Sequence, residues 1–193
     1  MKNYLIEELF PTPLYSARIE NVEAIQNEIF NAIQPVEFYH MEHWGRPHIL
    51  TTTTFQEDII ADINLELFNE QLNIHLQQYC DEIEFKFNSD YKRTSWFSMF
   101  NQRDFGTAHN HGFADISGCY YFATNGEDGD IYFENPSELT GVSKAFAKKY
   151  APSIRHQPQI GKILLFPSYL THGIMPNNTE NSRVSLSFNI TFK

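Results

Sequence analysis

Two segments of helical periodicity followed by several short β-type runs predict an α+β fold, with the helices packed outside a closed or sandwiched sheet. In the first segment, residues 21–33, Val22, Ile25, Ile29 and Ile33 share one helical face, Asn21 stands at the capping position and Pro35 follows as a stop. The second, residues 62–83, sets Leu65, Phe68, Leu72, Leu76, Tyr79 and Ile83 at helical spacing, with acids and amides on the other face. After about residue 91 the pattern turns to strand-like runs at 94–101, 116–123, 130–134, 163–167 and 183–192.

Between the helices, residues 38–58 contain three His, a Trp and a Gly but keep neither period, and read as a long loop holding a short strand. Asn125-Gly126 and Asp128-Gly129 separate the second and third β runs, where a tight antiparallel connection needs residues tolerant of positive φ. With 193 residues and no internal repeat, the chain is the size of one domain: residues 1–90 as a helical support and 91–193 as the β core.

Charge and cysteine usage narrow the function classes. With 14 basic and 24 acidic residues the net charge is −10, so the surface repels nucleic-acid backbones and anionic membranes, and neither is expected as a partner. The opening MKNYLIEELFPTP carries acids and prolines where a secretory signal needs an apolar run, and no stretch is long enough to span a bilayer, so a soluble, cytoplasmic protein is expected. Cys80 and Cys119 sit among apolar neighbours and read as reduced core residues.

The last run alternates strictly, with Val184, Leu186, Phe188, Ile190 and Phe192 on one side and Arg183, Ser185, Ser187, Asn189 and Thr191 on the other. The polar face meets either solvent or a cavity. Upstream, His109-Asn110-His111 places two imidazoles at i and i+2, which on an extended segment share a face and can reach one ion. His172 follows the run 162–167 and a turn-like Ser168-Tyr169, near the end of a buried strand. Alone it reads as a hydrogen-bonded loop residue; with Arg183 eleven residues on, in a strand whose polar face carries Ser185 and Asn189, it becomes the candidate third metal ligand.

In order, HNH, SGCYYF, GDIYFENP, GKILLFPSYLTHGIMPN and RVSLSFN resemble the 2-oxoglutarate-dependent iron(II) oxygenases, in particular a prolyl-hydroxylase-like branch, whose opening segment LFPTPLY also resembles. The resemblance implies a double-stranded β-helix (jelly roll, cupin-like) in which His109, His111 and His172 hold Fe(II). Arg183, with Ser185 beside it, would grip the far carboxylate of 2-oxoglutarate, a role suited to a planar, always-charged guanidinium. Tyr121 and Asn101 are candidates for the same pocket, or else core and strand-edge positions. The implied reaction consumes O2, hydroxylates a peptidyl side chain such as proline or a small molecule, and releases succinate and CO2, with ascorbate as reductant.

Position 111 departs from that pattern, since it is His where an Asp or Glu completes the usual facial triad. Either three imidazoles bind the metal, or Asp115 supplies a carboxylate; Asp115 lies a further turn of the pleat away and ranks below His111. Two other readings stay open: a three-His cupin-type metalloenzyme independent of 2-oxoglutarate, and a non-catalytic jelly-roll binding module. Arg183 discriminates, because the first of these has no need of a carboxylate clamp there. Residues 137–156, with Lys144, Lys148, Lys149 and Arg155, form either a lid or a solvated connection.

Overall fold

The alternating run at the C-terminus becomes the organising strand of the molecule. The computed structural model describes residues 10–40, 45–46 (backbone only), 50–52, 57–137, 142, 144–146 and 151–193. Strands are β1 (Tyr15–Arg18), β2 (Tyr39–His40), β3 (Gly45–Arg46), β4 (Leu50–Thr51), β5 (Tyr91–Phe100), β6 (Phe105–His109), β7 (Ile116–Ala123), β8 (Ile131–Glu134), β9 (Ser153–His156), β10 (Lys162–Pro167), β11 (His172–Ile174) and β12 (Arg183–Phe192); helices are α1 (Val22–Ile33), α2 (Ile59–Asp62) and α3 (Glu66–Glu82). A seven-stranded sheet runs β1-β10-β7-β12-β5-β4-β2, and a five-stranded sheet runs β3-β6-β11-β8-β9. All the ladders are antiparallel. This is the two-sheet jelly roll with helices outside that the resemblance implies.

β12 lies between β5 and β7, so its period-2 pattern sorts the whole sheet. Val184, Leu186, Phe188 and Ile190 join Ile25 and Ile29 of α1 and Phe68, Leu72 and Leu76 of α3 in one core on the outer face. Phe68 packs against Tyr120 and Phe188, with ring centroids 5.1 and 6.4 Å away. A smaller core of Cys119, Tyr121, Ile131, Phe133, Leu164, Phe166 and Leu170 fills the space between the sheets. The polar side of β12 therefore faces inward.

Several expectations are corrected. Asn21 stands at the start of α1 but in a left-handed conformation, φ 51°, and its side chain caps nothing. The second helix starts four residues later than expected: a short α2 ends at Asp62, Asn64 adopts φ 55°, and α3 begins at Glu66. Its free N–H groups at Leu67 and Phe68 donate to the Glu28 carboxylate of α1 at 2.8 and 3.0 Å, where an anion also suits the helix dipole. The first 90 residues are not purely helical, since β1, β2 and β4 join the main sheet. Gly126 and Gly129 have φ 87° and 106° as expected, yet the connection they form is no hairpin: β7 and β8 belong to different sheets. The loop expected at residues 38–58 contributes three two-residue strands; residues 41–44, 47–49 and 53–56 lie outside the described residues. No helix among the described residues is long and apolar enough to cross a membrane. Both cysteines are buried and unpaired.

Phe68→Ala is expected to destabilise the protein by about 3–5 kcal/mol through the cavity it leaves, and Glu28→Ala by about 1 kcal/mol through the lost cap. Urea denaturation followed by circular dichroism checks both.

Candidate metal and anion site

Strands β6 and β11 pair with His109 directly opposite His172, which brings two imidazoles from distant parts of the sequence to one face. His172 thus sits on its own short strand rather than at the end of β10, as expected from the sequence. The chain leaves the sheet after His109, so the HNH pair is not one extended segment. His111 is carried by a turn: its N–H donates to the Ser168 carbonyl at 2.7 Å, and the Ala114 N–H donates to its carbonyl at 2.9 Å.

The ring nitrogens of His109, His111 and His172 that could ligate an ion all lie within 4.8 Å of one another. Ring centroids are 4.9 Å apart for 109 and 111, 4.5 Å for 109 and 172, and 5.3 Å for 111 and 172. Imidazoles at right angles around an ion about 2.1 Å from each nitrogen would have centroids roughly 4.6 Å apart, so the arrangement fits a facial set. Nδ1 of His109 bonds the Thr107 carbonyl at 2.8 Å and Nδ1 of His172 the Leu170 carbonyl at 2.9 Å. A carbonyl only accepts, so both Nδ1 atoms carry the proton and both Nε2 lone pairs are left for a metal. Burial, then the neighbouring His109 and His172, push the His111 imidazole down to about 3. Burial and then His109 push His172 down to about 4, against a hydrogen bond to Leu170 that favours the cation. Both are neutral ligands at working pH.

A cavity of about 70 Å³ opens from these imidazoles toward Arg183, Ser185 and Tyr121, several times the room one water needs. It settles the question left open for β12, because Ser187 and Asn189 line it too. Arg183 is 1% exposed. Its Nη1 donates to the Gly129 carbonyl at 2.7 Å and its guanidinium lies 4.4 Å from the Phe100 ring centroid, while Nε has no partner. Burial lowers its pKa, with Tyr121, Cys119, Asp128 and Asp130 opposing. The Tyr121 hydroxyl is likewise buried and unpartnered, and burial raises its pKa, so it remains a donor. One orphaned hydroxyl beside a buried cation that has an orphaned N–H of its own suits an anion. A register shift between Val184 and Ser185 against β7 brings Ser185 opposite Tyr121.

Other candidates fall elsewhere. Asn101 is absent from the cavity wall; its Oδ1 accepts from the Ser182 hydroxyl at 2.6 Å and its N–H donates to Asp104 at 2.8 Å, both at a strand-end turn. Asp115 accepts from the Phe192 N–H at 2.8 Å at an exposed edge, so its carboxylate is turned away from the imidazoles. Of residues 137–156, the last four form β9 with Arg155 opposite Tyr132, while 138–141, 143 and 147–150, including Lys148 and Lys149, lie outside the described residues. Two features escaped the sequence reading. Phe100 provides the ring beneath Arg183, and Gly129 provides the carbonyl that orients it; a Cβ at Gly129 would collide with the Met175 carbonyl. The Asp-Gly signal marked a turn there but not its role as a cradle.

The fold and site define a jelly-roll metalloenzyme with a buried anion clamp. The family described as "Putative 2OG-Fe(II) oxygenase" matches residues 94–189, which include all three histidines and Arg183. Solved structures of similar fold include a prolyl-4-hydroxylase from Pseudomonas putida (14% identity, TM-score 0.59, covering 94% of each chain). A second is a 2OG-Fe(II) oxygenase-family oxidoreductase from Burkholderia pseudomallei (11%, TM-score 0.64, 86% of this chain and 77% of that one). A third is HygX from Streptomyces hygroscopicus with nickel, 2-oxoglutarate and hygromycin B bound (11%, TM-score 0.63, 93% and 83%). No curated protein matches the chain. Residues 94–189, which carry the whole site, match the 2-oxoglutarate- and iron(II)-dependent oxygenases, and iron(II) and 2-oxoglutarate are the cofactors that this match implies.

Two measurable consequences follow from this electrostatic arrangement. Because the folded-state pKa values of His111 and His172 lie below the ordinary 6.5, the unfolded chain binds more protons than the folded one between pH 6.5 and about 4. The metal-free protein should hold its full stability above pH 6.5 and lose it as pH falls through that window, seen as a falling Tm. Arg183→Met removes a buried cation with an unsatisfied N–H, and should raise the Tm of the ligand-free protein by about 2–4 °C, equivalent to roughly 1 kcal/mol, while abolishing 2-oxoglutarate binding. Calorimetry reads both.

Proposed function

We propose that this chain, as a single domain over residues 1–193, is a 2-oxoglutarate-dependent dioxygenase that hydroxylates its substrate through a three-histidine iron site. The supporting observation is the convergence of His109, His111, His172 and Arg183 on one cavity. His109, His111 and His172 would hold Fe(II), and Arg183 the far carboxylate of 2-oxoglutarate, with the Tyr121 and Ser185 hydroxyls beside it. When bound, the iron and 2-oxoglutarate supply the oxidative decarboxylation that couples O2 to hydroxylation and yields succinate and CO2.

The protein's own part is positioning and exclusion of water. The Thr107 and Leu170 carbonyls fix the rings of His109 and His172 before any ligand arrives. Arg183 offers its unpartnered Nε–H, and Tyr121 its hydroxyl, to an incoming carboxylate, so co-substrate binding satisfies donors that are otherwise orphaned. Phe100, Ile131, Phe166 and Ile174 form apolar walls that keep the bound acid dry. His109 is the exposed member of the three, so the primary substrate, a peptidyl side chain or a small molecule, approaches from its side. Three neutral imidazoles leave the metal one unit more positive than two with a carboxylate, which favours the dianionic co-substrate.

The test is succinate formation from 2-oxoglutarate with iron(II) and ascorbate. The wild type should turn over 2-oxoglutarate, Arg183→Ala should raise its KM at least about 100-fold, and His172→Ala should lose nearly all turnover. Equal succinate formation by all three proteins would overturn the assignment.

A further inference from the structure

His111 is the least constrained of the three imidazoles. His109 and His172 belong to strands and have Nδ1 fixed by backbone carbonyls, but His111 lies beyond β6 and its ring has no hydrogen bond among the described residues. Its ring packs between Trp96 and Phe113, with centroids 6.0 Å from each, and Phe113 is itself exposed. The turn is tied to the rest of the fold by the His111 N–H bond to the Ser168 carbonyl and, at its end, by Asp115, whose N–H donates to the Ile190 carbonyl and whose carbonyl accepts from the Ser168 N–H.

Ser168 is fully buried, and its own hydroxyl lies 2.8 Å from that of Ser117 on β7. Ser117 in turn donates to Oδ1 of Asn189 on β12 at 2.7 Å. A carboxamide oxygen only accepts, so the single Ser117 proton goes to Asn189 and the Ser168 hydroxyl donates to Ser117. The chain is therefore directional, from Ser168 through Ser117 to Asn189. Ser117 and Asn189 are also register partners across the β7–β12 ladder of the main sheet. All three side chains are at least 96% buried, and both Ser117 and Asn189 line the cavity. A buried polar chain of this kind favours one geometry, because breaking any link strands its neighbour.

We propose that Ser117, Ser168 and Asn189 are positioning residues for the metal site, a relay through which the main sheet sets the place of His111. The proposal rests on the three-histidine assignment of the metal site. It explains how a ligand on a turn can be held as firmly as two ligands on strands: the Ser168 carbonyl that receives the His111 N–H is locked by the hydroxyl of the same residue. Removing a link leaves the imidazole present but free to shift by the fraction of an ångström that matters for coordination.

The test uses the full chain and Co(II), with affinity from isothermal titration and ligand geometry from the visible d–d absorption. Ser117→Ala and Asn189→Ala should each weaken Co(II) binding about tenfold and alter the absorption band. In a His111→Ala background, Ser117→Ala should cost no further affinity, because the relay acts through that imidazole. Unchanged affinity and band in the single variants, or additive losses in the double variant, would overturn the relay. Unchanged affinity in His111→Ala alone would instead overturn the three-histidine site. Should Ser117→Ala not fold, Ser168→Ala, which keeps the accepting carbonyl, takes its place: a tenfold loss of affinity with an altered band supports the relay, and an unchanged affinity and band overturns it.

Discussion

The pairing of β6 with β11 is the constraint on which the site depends. In an antiparallel ladder a slip of one residue sends every side chain to the other face, so the opposition of His109 and His172 exists in one register only. That register is held from both sides. β8 pairs with the far edge of β11, placing Phe133 opposite His172, and Gly106 lets the two strands close, since a Cβ there would stand 3.0 Å from Ile174 Cγ1. The irregularity between His172 and Ile174 shifts the ladder just past the ligand, a common place for bulges beside functional sites. Two of the three imidazoles are thereby placed by backbone hydrogen bonding between strands, and the third is carried by the turn that follows β6.

Much of this was legible in the sequence for identifiable physical reasons. β12 is a ten-residue strand with an apolar face toward the core and a polar face toward the cavity, so its alternation is unbroken and its limits could be read directly, while what its polar face meets could not. The limits of β7 were equally legible, its eight residues matching the expected run. Short strands are a different matter: β6 and β11 have five and three residues, too few for a period, and their existence depends on partners far away in the chain. The histidines could be nominated from residue type and spacing, but the reason they meet, a cross-strand pair, is a tertiary fact. The start of α3 was placed early, at 62 rather than 66, because the left-handed Asn64 that separates it from α2 lies ahead of the first apolar residue of the periodic set, Leu65, and leaves no mark on the spacing. The Ser117, Ser168 and Asn189 network left no signal beyond three ordinary polar residues.

The geometry also weighs on the choice of ligand at position 111. Asp115 is engaged at the end of β12 through the Phe192 N–H, and the His111 ring faces the other two imidazoles, so the neutral ligand set is the one the fold supports. A cupin-type enzyme without 2-oxoglutarate would have no use for a guanidinium buried to this degree with an unanswered Nε–H. A mere binding module would not require two carbonyl-oriented imidazole tautomers. These features make sense together in an oxygenase that gathers a small dicarboxylic acid between a metal and a clamp.

The Gly129 carbonyl has a consequence for selectivity. It fixes Arg183 from behind, and the Phe100 ring fixes it from the side, so the guanidinium cannot swing forward to meet a shorter acid. On the proposed assignment the span from the imidazoles to that cation would work as a ruler: an oxo acid one methylene too short would reach the metal and leave the cation unanswered in a dry interior. Length discrimination among oxo acids would then be a property of backbone placement at a glycine.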